Sequence, residues 1–295
     1  MTGPNRTYLF VPGNHPRRVE KVFTLGADAA ILDLEDAVAV AQKQATRAAV
    51  IAALARPRPC RAYVRVNALD TQFAFSDIEA VVVPGLDGIV LPKAESAGDI
   101  RTADWMITAL ERRQGLPQRS VELMPILETA RGLAAAREIC AHGATCGRLR
   151  RVSFGAGDYT ADLGLEWTPI EHELDAARAE IVLASRLAGL EPPIDSVFAR
   201  LGQPEEFRAS CRRVRELGFQ GKLLIHPDQV APANAVFSPS AEEIARAREI
   251  VAAFRAAEAA GSASIQVGGQ FVDYPILARA ERALALAEAI EGSRQ

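Results

Sequence analysis

The chain has 295 residues, 49% hydrophobic and 24% charged, with a formal net charge of −3. That length holds one large α/β domain or two ordinary ones, and it buries a core without disulfides or metal staples. No basic field invites nucleic acid or an acidic membrane, and no signal peptide or bilayer-length apolar run is apparent. A cytoplasmic protein with neither nucleic-acid nor membrane partners is therefore expected.

In chain order, apolar runs read as strands at 8–12, 29–34, 62–66, 88–92, 122–127, 151–155, 193–197 and 222–225. Several are continuous rather than alternating, as strands covered on both faces should be. Helical stretches lie between them at 16–25, 39–54, 76–82, 96–113, 130–141, 170–188 and 204–217, with another after Gln229. Eight strands each followed by a helix predict a (β/α)8 TIM barrel over residues 1–237. A doubly wound open sheet is the alternative, because periodicity does not report closure.

Residues 238–295 leave that repeat and predict a helix–hairpin–helix extension. Ser240 and Glu243 have capping-box spacing at the head of the first helix. SIQVGGQFVDYPI then reads as a hairpin turning at Gly268 and Gly269, and a last helix covers 276–289. The extension is too small for a domain alone and is expected to pack on the barrel or on an adjacent subunit.

The chemistry lies just past the ends of four strand-like runs: AAILDLED (29–36), YVRVN (63–67), LMPILE (123–128) and RVSFGAGD (151–158). A barrel delivers every strand end to one face, so Asp33, Glu35, Asp36, Arg65, Glu128 and Asp158 should share a rim. Glu128 and Asp158 are the candidate metal ligands. Each is also placed to cap the helix that follows, but two such carboxylates on one rim favour a Mg2+ or Mn2+ site. Arg65, awkward inside an apolar strand, either closes a salt bridge or grips a carboxylate with its planar fork. Of Asp33, Glu35 and Asp36, not all can be ligands; some hold metal-bound waters or pair with Arg6 or Arg65. Lys93 adds positive charge after the fourth strand, and His226 ends the eighth as a ligand contact or a structural histidine. Asp273, in the tail hairpin, reads from the residues alone as a solvated carboxylate. Cys60, Cys140, Cys146 and Cys211 lack metal or redox spacing, and His142 within CAHGATC reads as part of a helix end.

These residues resemble the citrate lyase β-subunit-like family, which includes malyl-CoA and citramalyl-CoA lyases. The likeness runs through RTYLFVPGNHPR, ILDLEDAV, YVRVN, GIVLPK, PILETARGL, SFGAGDYTADLG and LIHPDQV, in order, and the tail SIQVGGQFVDYPILARAER is similar to the extension of the CoA-dependent members. The resemblance implies a TIM barrel of the phosphoenolpyruvate/pyruvate type, assembled as a homotrimer or a pair of trimers. It implies Mg2+ on Glu128 and Asp158, Arg65 holding an oxo or hydroxy acid, and the Asp36 loop supporting the metal's water shell. It also implies that Asp273 enters a neighbouring subunit's site and handles the thioester methyl proton, and that LIHPD lines a nucleotide pocket. The implied reaction is Mg-dependent cleavage or formation of a short 3-hydroxyacyl-CoA, such as citramalyl-CoA or malyl-CoA, with acetyl-CoA and a 2-oxo acid as the other side. A malyl-CoA thioesterase or malate-synthase-like activity on the same site, and a citrate lyase β subunit working with partner subunits, are the alternatives.

Overall fold

In the computed structural model, which describes residues 4–292, eight parallel strands close into a barrel. They are β1 Thr7–Pro12, β2 Ala29–Asp33, β3 Arg61–Arg65, β4 Gly88–Leu91, β5 Glu122–Leu127, β6 Ser153–Phe154, β7 Ile194–Asp195 and β8 Gly221–Leu224. Each pairs with the next, and β8 returns to β1 through Thr7–Lys222 and Leu9–Leu224. The expected (β/α)8 barrel is therefore present, and its closure decides against an open sheet.

The sequence forms this barrel because both faces of its strands are apolar. Every residue of β2 and β4 is buried. One face fills the lumen with Tyr8, Ala29, Ile31, Tyr63, Val90, Met124, Ile126, Ile194 and Leu223. The other receives the helices, whose buried positions recur at helical spacing, as Ile100, Ala103, Ile107 and Leu110 do along Ala97–Gln114. Each such large apolar side chain stabilises the fold by about 1.5–3 kcal/mol relative to exposure.

Five elements differ from the sequence expectation. One is the run at 193–197, which pairs as strand only over Ile194–Asp195. The run at 151–155 pairs as strand only over Ser153–Phe154, because the chain turns into a short helix, Ala156–Leu163. The helix expected at 130–141 is two, Ala130–Ala134 and Ala136–Cys146, broken where Ala135 leaves the helical region (φ −90°, ψ 4°). The α-helix expected from 170 begins at Asp175, behind a 3-10 turn at His172–Leu174. The helix expected from 39 likewise starts as a 3-10 turn, Val40–Gln42, and becomes α-helical at Lys43.

The barrel strands and their helices belong to one compact unit, Asn5–Asn234, and a second runs from Ala235 onward. In the second, Ser240 and Glu243 close a reciprocal capping box on helix Ala241–Ala259. Strands β9 Ile265–Val267 and β10 Gln270–Val272 pair antiparallel. Gly268 (φ 54°) and Gly269 (φ 82°) make their turn, the two successive left-handed residues that a tight hairpin of this kind requires. Helix Tyr274–Gly292 follows, and Phe254, Ile250, Val267, Val272 and Ala280 form this unit's own apolar core. Among the described residues no helix is long and apolar enough to cross a membrane.

Candidate active site

Parallel register places Asp33, the last residue of β2, level with Arg65, the last of β3. Arg65 donates from Nε to Asp33 Oδ1 at 2.8 Å and from Nη2 to Asp33 Oδ2 at 2.6 Å. The same carboxylate accepts the backbone N–H groups of Glu35 (2.9 Å) and Ala37 (3.1 Å), so one buried aspartate fixes both the guanidinium and the acidic loop after β2. The Phe10 ring lies 4.7 Å from the guanidinium carbon, and Nη1 stands 2.9 Å from Glu35 Oε2. Burial works against the charge on Arg65, but Asp33 and then Glu35 outweigh it and hold its pKa above the ordinary arginine value.

A buried lysine holds the acidic loop from below. Lys43 Nζ donates to the carbonyls of Leu34 (3.1 Å) and Glu35 (2.8 Å) and to Asn67 Oδ1 (2.5 Å). Asn67 in turn donates to Leu34 O and to Asp77. The Glu35 side chain is thereby turned inward, where burial first, with the nearby Asp36 charge, raises its pKa against the pull of Arg65 and Lys93.

Glu128 follows β5 and is 4% exposed. Its Oε1 accepts the Lys93 backbone N–H at 2.8 Å. Its Oε2 occupies the space beside Gly155, where a Cβ would lie 2.3 Å away. Burial, then the like charges of Glu35 and Asp158, push the Glu128 carboxyl up to about 8. Asp158 is in the first turn of helix Ala156–Leu163, whose leading N–H donates to Ser196 Oγ at 2.7 Å past β7. Lys93 joins these parts: its ammonium is 2.7 Å from Glu35 Oε1 and 3.0 Å from Asp158 Oδ2. Burial opposes that charge, but Glu35 and Asp158 raise the lysine's pKa overall.

The charge balance of this rim differs from that of the buried ion cluster behind β7 and β8. Arg178 and Lys222 meet Glu171 and Asp195, two cations on two anions. At the rim, Asp33, Glu35, Glu128 and Asp158 face only Arg65 and Lys93. With all four ionised, as metal binding requires, they carry two charges more than the two cations, which one divalent cation would balance. Glu35 Oε2 is buried without a hydrogen-bond partner, since Arg65 Nη1 approaches it outside hydrogen-bond geometry. Among the described residues no three acidic, histidine or cysteine side chains close a full metal cage. All available donors are oxygens, however, and a Mg2+-like ion needs only one or two carboxylates beside its waters. The residues present fit such an ion.

Of the residues singled out in the sequence, Arg65, Lys93, Glu128 and Asp158 come together in this network. Asp36 lies at its edge, 63% exposed, with Oδ2 3.9 Å from Arg65 Nη1. His226 caps the 3-10 turn Pro227–Gln229, its Nδ1 accepting the Asp228 N–H at 3.3 Å. Among the described residues it shares no hydrogen bond or ion pair with the rim carboxylates. Asp273 belongs to the second unit, where its Oδ1 accepts the Ile276 N–H at 3.3 Å at the head of the last helix. Arg6 pairs with Asp28 rather than with the acidic loop. Sequence reasoning left Phe10, Lys43 and Ser196 out of the site altogether; nothing in their local pattern separates them from ordinary strand, helix and loop residues.

The profile of the family described as HpcH/HpaI aldolase/citrate lyase matches residues 6–227. A citrate lyase subunit beta of Leuconostoc mesenteroides subsp. cremoris is 38% identical over 96% of this chain and 93% of its own length. An L-malyl-CoA/beta-methylmalyl-CoA lyase of Cereibacter sphaeroides is 38% identical over 97% of this chain and 96% of its own. The solved structure of CitE from Mycobacterium tuberculosis, in complex with magnesium, acetoacetate and coenzyme A, is similar with a TM-score of 0.78 and 30% identity. That likeness covers 98% of this chain and all of the other. With a closed barrel, a carboxylate-rich rim and sequence likeness along nearly its whole length, the chain belongs to the HpcH/HpaI aldolase/citrate lyase family.

Proposed function

We propose that this protein is a Mg2+-dependent carbon–carbon lyase. It cleaves, or in reverse forms, a short 3-hydroxyacyl-CoA such as malyl-CoA or citramalyl-CoA, with acetyl-CoA and a 2-oxo acid as products. The observation that carries this reading is the uncompensated group of carboxylates around Glu128 and Asp158, set beside a clamped guanidinium. The lyase named for the Cereibacter relative, and the magnesium and coenzyme A in the CitE complex, supply the matching chemistry.

Glu128 and Asp158 would hold the ion, and Glu35 and Asp36 would support its water shell. When bound, Mg2+ supplies Lewis-acid stabilisation of negative charge on oxygen. Arg65, with Nε and Nη2 taken by Asp33, has Nη1, now beside Glu35 Oε2, to offer the carboxylate of the hydroxy acid and fix its orientation. Lys93 and His226 complete the substrate-facing rim. The hydroxyl gives up its proton to water as its oxygen becomes the carbonyl of the 2-oxo acid. The Cα–Cβ electron pair stays on the thioester fragment as an enolate, and the Asp273 carboxylic acid returns a proton to that carbon. We further infer, from the family likeness, a homotrimer or a pair of trimers in the cytoplasm.

The test is a mass-resolved assay of malyl-CoA and citramalyl-CoA with Mg2+, against EDTA and Asp158→Ala. Metal-dependent acetyl-CoA with glyoxylate or pyruvate is expected, lost in both controls. Free CoA with intact malate or citramalate would instead make the protein a thioesterase. Because a citrate lyase β subunit is an equally similar relative, citryl thioester on a carrier protein is the second substrate to try.

A further inference from the structure

Lys93 adopts a backbone that lysine rarely takes. Its φ is 48°, in the left-handed region that glycine enters without strain. In that conformation its backbone N–H reaches Glu128 Oε1 at 2.8 Å, a bond that needs no side chain. A glycine would make it equally well, so a lysine at this position calls for a reason in its ammonium. That ammonium bridges Glu35 Oε1 at 2.7 Å and Asp158 Oδ2 at 3.0 Å, joining the loop after β2 to the helix after β6. Arg65 does not substitute for it, because two of its donors are engaged by Asp33. The Lys93 side chain is 37% exposed and carries its charge on a flexible stem, so it can move while the carboxylates stay.

We propose that the Lys93 ammonium is a resident counter-ion that a divalent cation must displace from Asp158. In the metal-free protein it holds Glu35 and Asp158 together; on loading, Asp158 passes to the metal and Lys93 stays on Glu35. Two cations sharing one carboxylate oxygen at about 3 Å repel each other, and the divalent one takes it. The lysine therefore weakens binding of the bare ion. It leaves a positive group beside the site for the anionic substrate once the metal is in. This inference rests on the metal reading above.

The test is titration of full-length wild type, Lys93→Gly, Lys93→Gln and Lys93→Arg with Mn2+, followed by calorimetry and by the spin-resonance signal of free Mn2+. Lys93→Gly keeps the backbone unstrained, and Lys93→Gln keeps a polar side chain without the charge. Both are expected to bind Mn2+ about tenfold more tightly, and Lys93→Arg to stay within about twofold of wild type. Equal or weaker Mn2+ binding in the two neutral variants, with wild type binding normally, would overturn the counter-ion role alone. If wild type itself fails to bind Mn2+, the metal reading falls and this inference with it.

Discussion

Gly155 stands at the end of β6 because the Glu128 carboxylate fills the space that any side chain there would take. A Cβ on residue 155 would lie 2.3 Å from Glu128 Oε2 and 2.5 Å from Glu128 Cβ, both far inside contact distance. Gly155→Ala therefore has to shift the backbone at Glu128 as well as turn its carboxylate, because rotation alone leaves Glu128 Cβ in place. Overpacking of this kind costs about 1–3 kcal/mol of stability. Lyase activity should fall at least about 100-fold, because a 1 Å misplacement in a site already costs that much. Urea unfolding and steady-state kinetics on the same preparation check both. A well-folded Gly155→Ala enzyme with wild-type activity would remove Glu128 from the mechanism.

Asp33 and Asp36 stand three residues apart and should behave oppositely on neutralisation. Asp33 is buried and takes two donors of Arg65. Asp33→Asn leaves that guanidinium without its partner, a change that typically costs about 3–5 kcal/mol in a buried pair. Asp36 is exposed and only skirts Arg65. Asp36→Asn should change stability by less than about 0.5 kcal/mol, while lowering activity through the metal's water shell. Chemical denaturation separates the two variants. Equal stability losses would mean that the acidic loop is held by something other than Asp33.

Much of this arrangement was legible in the sequence because a parallel barrel turns chain order into position. Continuous apolar runs ending in Asp33, Arg65 and Glu128 are enough to put those side chains on one rim. Asp158 was harder: its strand is only Ser153–Phe154, and the aspartate reaches the site from the first turn of a helix. The glycines of SFGAGD permit a close approach, and the group that approaches Gly155 is a side chain of the protein itself, Glu128. The partner of Arg65 stayed open because alternation along a strand gives a side, not a distance; only the β2–β3 register selects Asp33. Lys43 gave no signal, since its task is to hold two carbonyls of a distant loop.

The raised carboxyl of Glu128 makes a pH prediction of definite sign. Its pKa in the folded, metal-free protein is about 8, against an ordinary 4.5, so between those values the folded chain keeps a proton that the unfolded chain has lost. Stability from this group is therefore present below about pH 4.5 and declines as pH rises toward about 8. Glu35, whose pKa is also raised by burial, acts in the same direction. Metal binding requires the carboxylate and must expel the proton. Calorimetry in two buffers of different ionisation enthalpy should show up to about one proton released per metal at about pH 7, and less at about pH 9. Glu128→Gln should abolish most of the release. Proton-free metal binding in the wild type would place the ion elsewhere.

Asp273 has two possible tasks, and one substitution tells them apart. Its Oδ1 accepts the Ile276 N–H, as a helix cap does, and asparagine caps a helix about as well as aspartate. Asp273→Asn should therefore leave the melting temperature nearly unchanged while removing the acid that returns the proton. A fully active Asp273→Asn enzyme would reduce the residue to its cap. If the acid comes from a neighbouring copy, inactive Asp273→Asn and inactive Arg65→Ala chains, refolded together, should complement each other. In a ring where each copy donates to one neighbour, random mixing pairs an intact barrel with an intact Asp273 at about a quarter of the sites. Recovery near that fraction, in oligomers shown by mass to be mixed, is the expected outcome. Mixed oligomers with no recovery would mean that each chain uses its own Asp273, because then every site lacks one of the two groups.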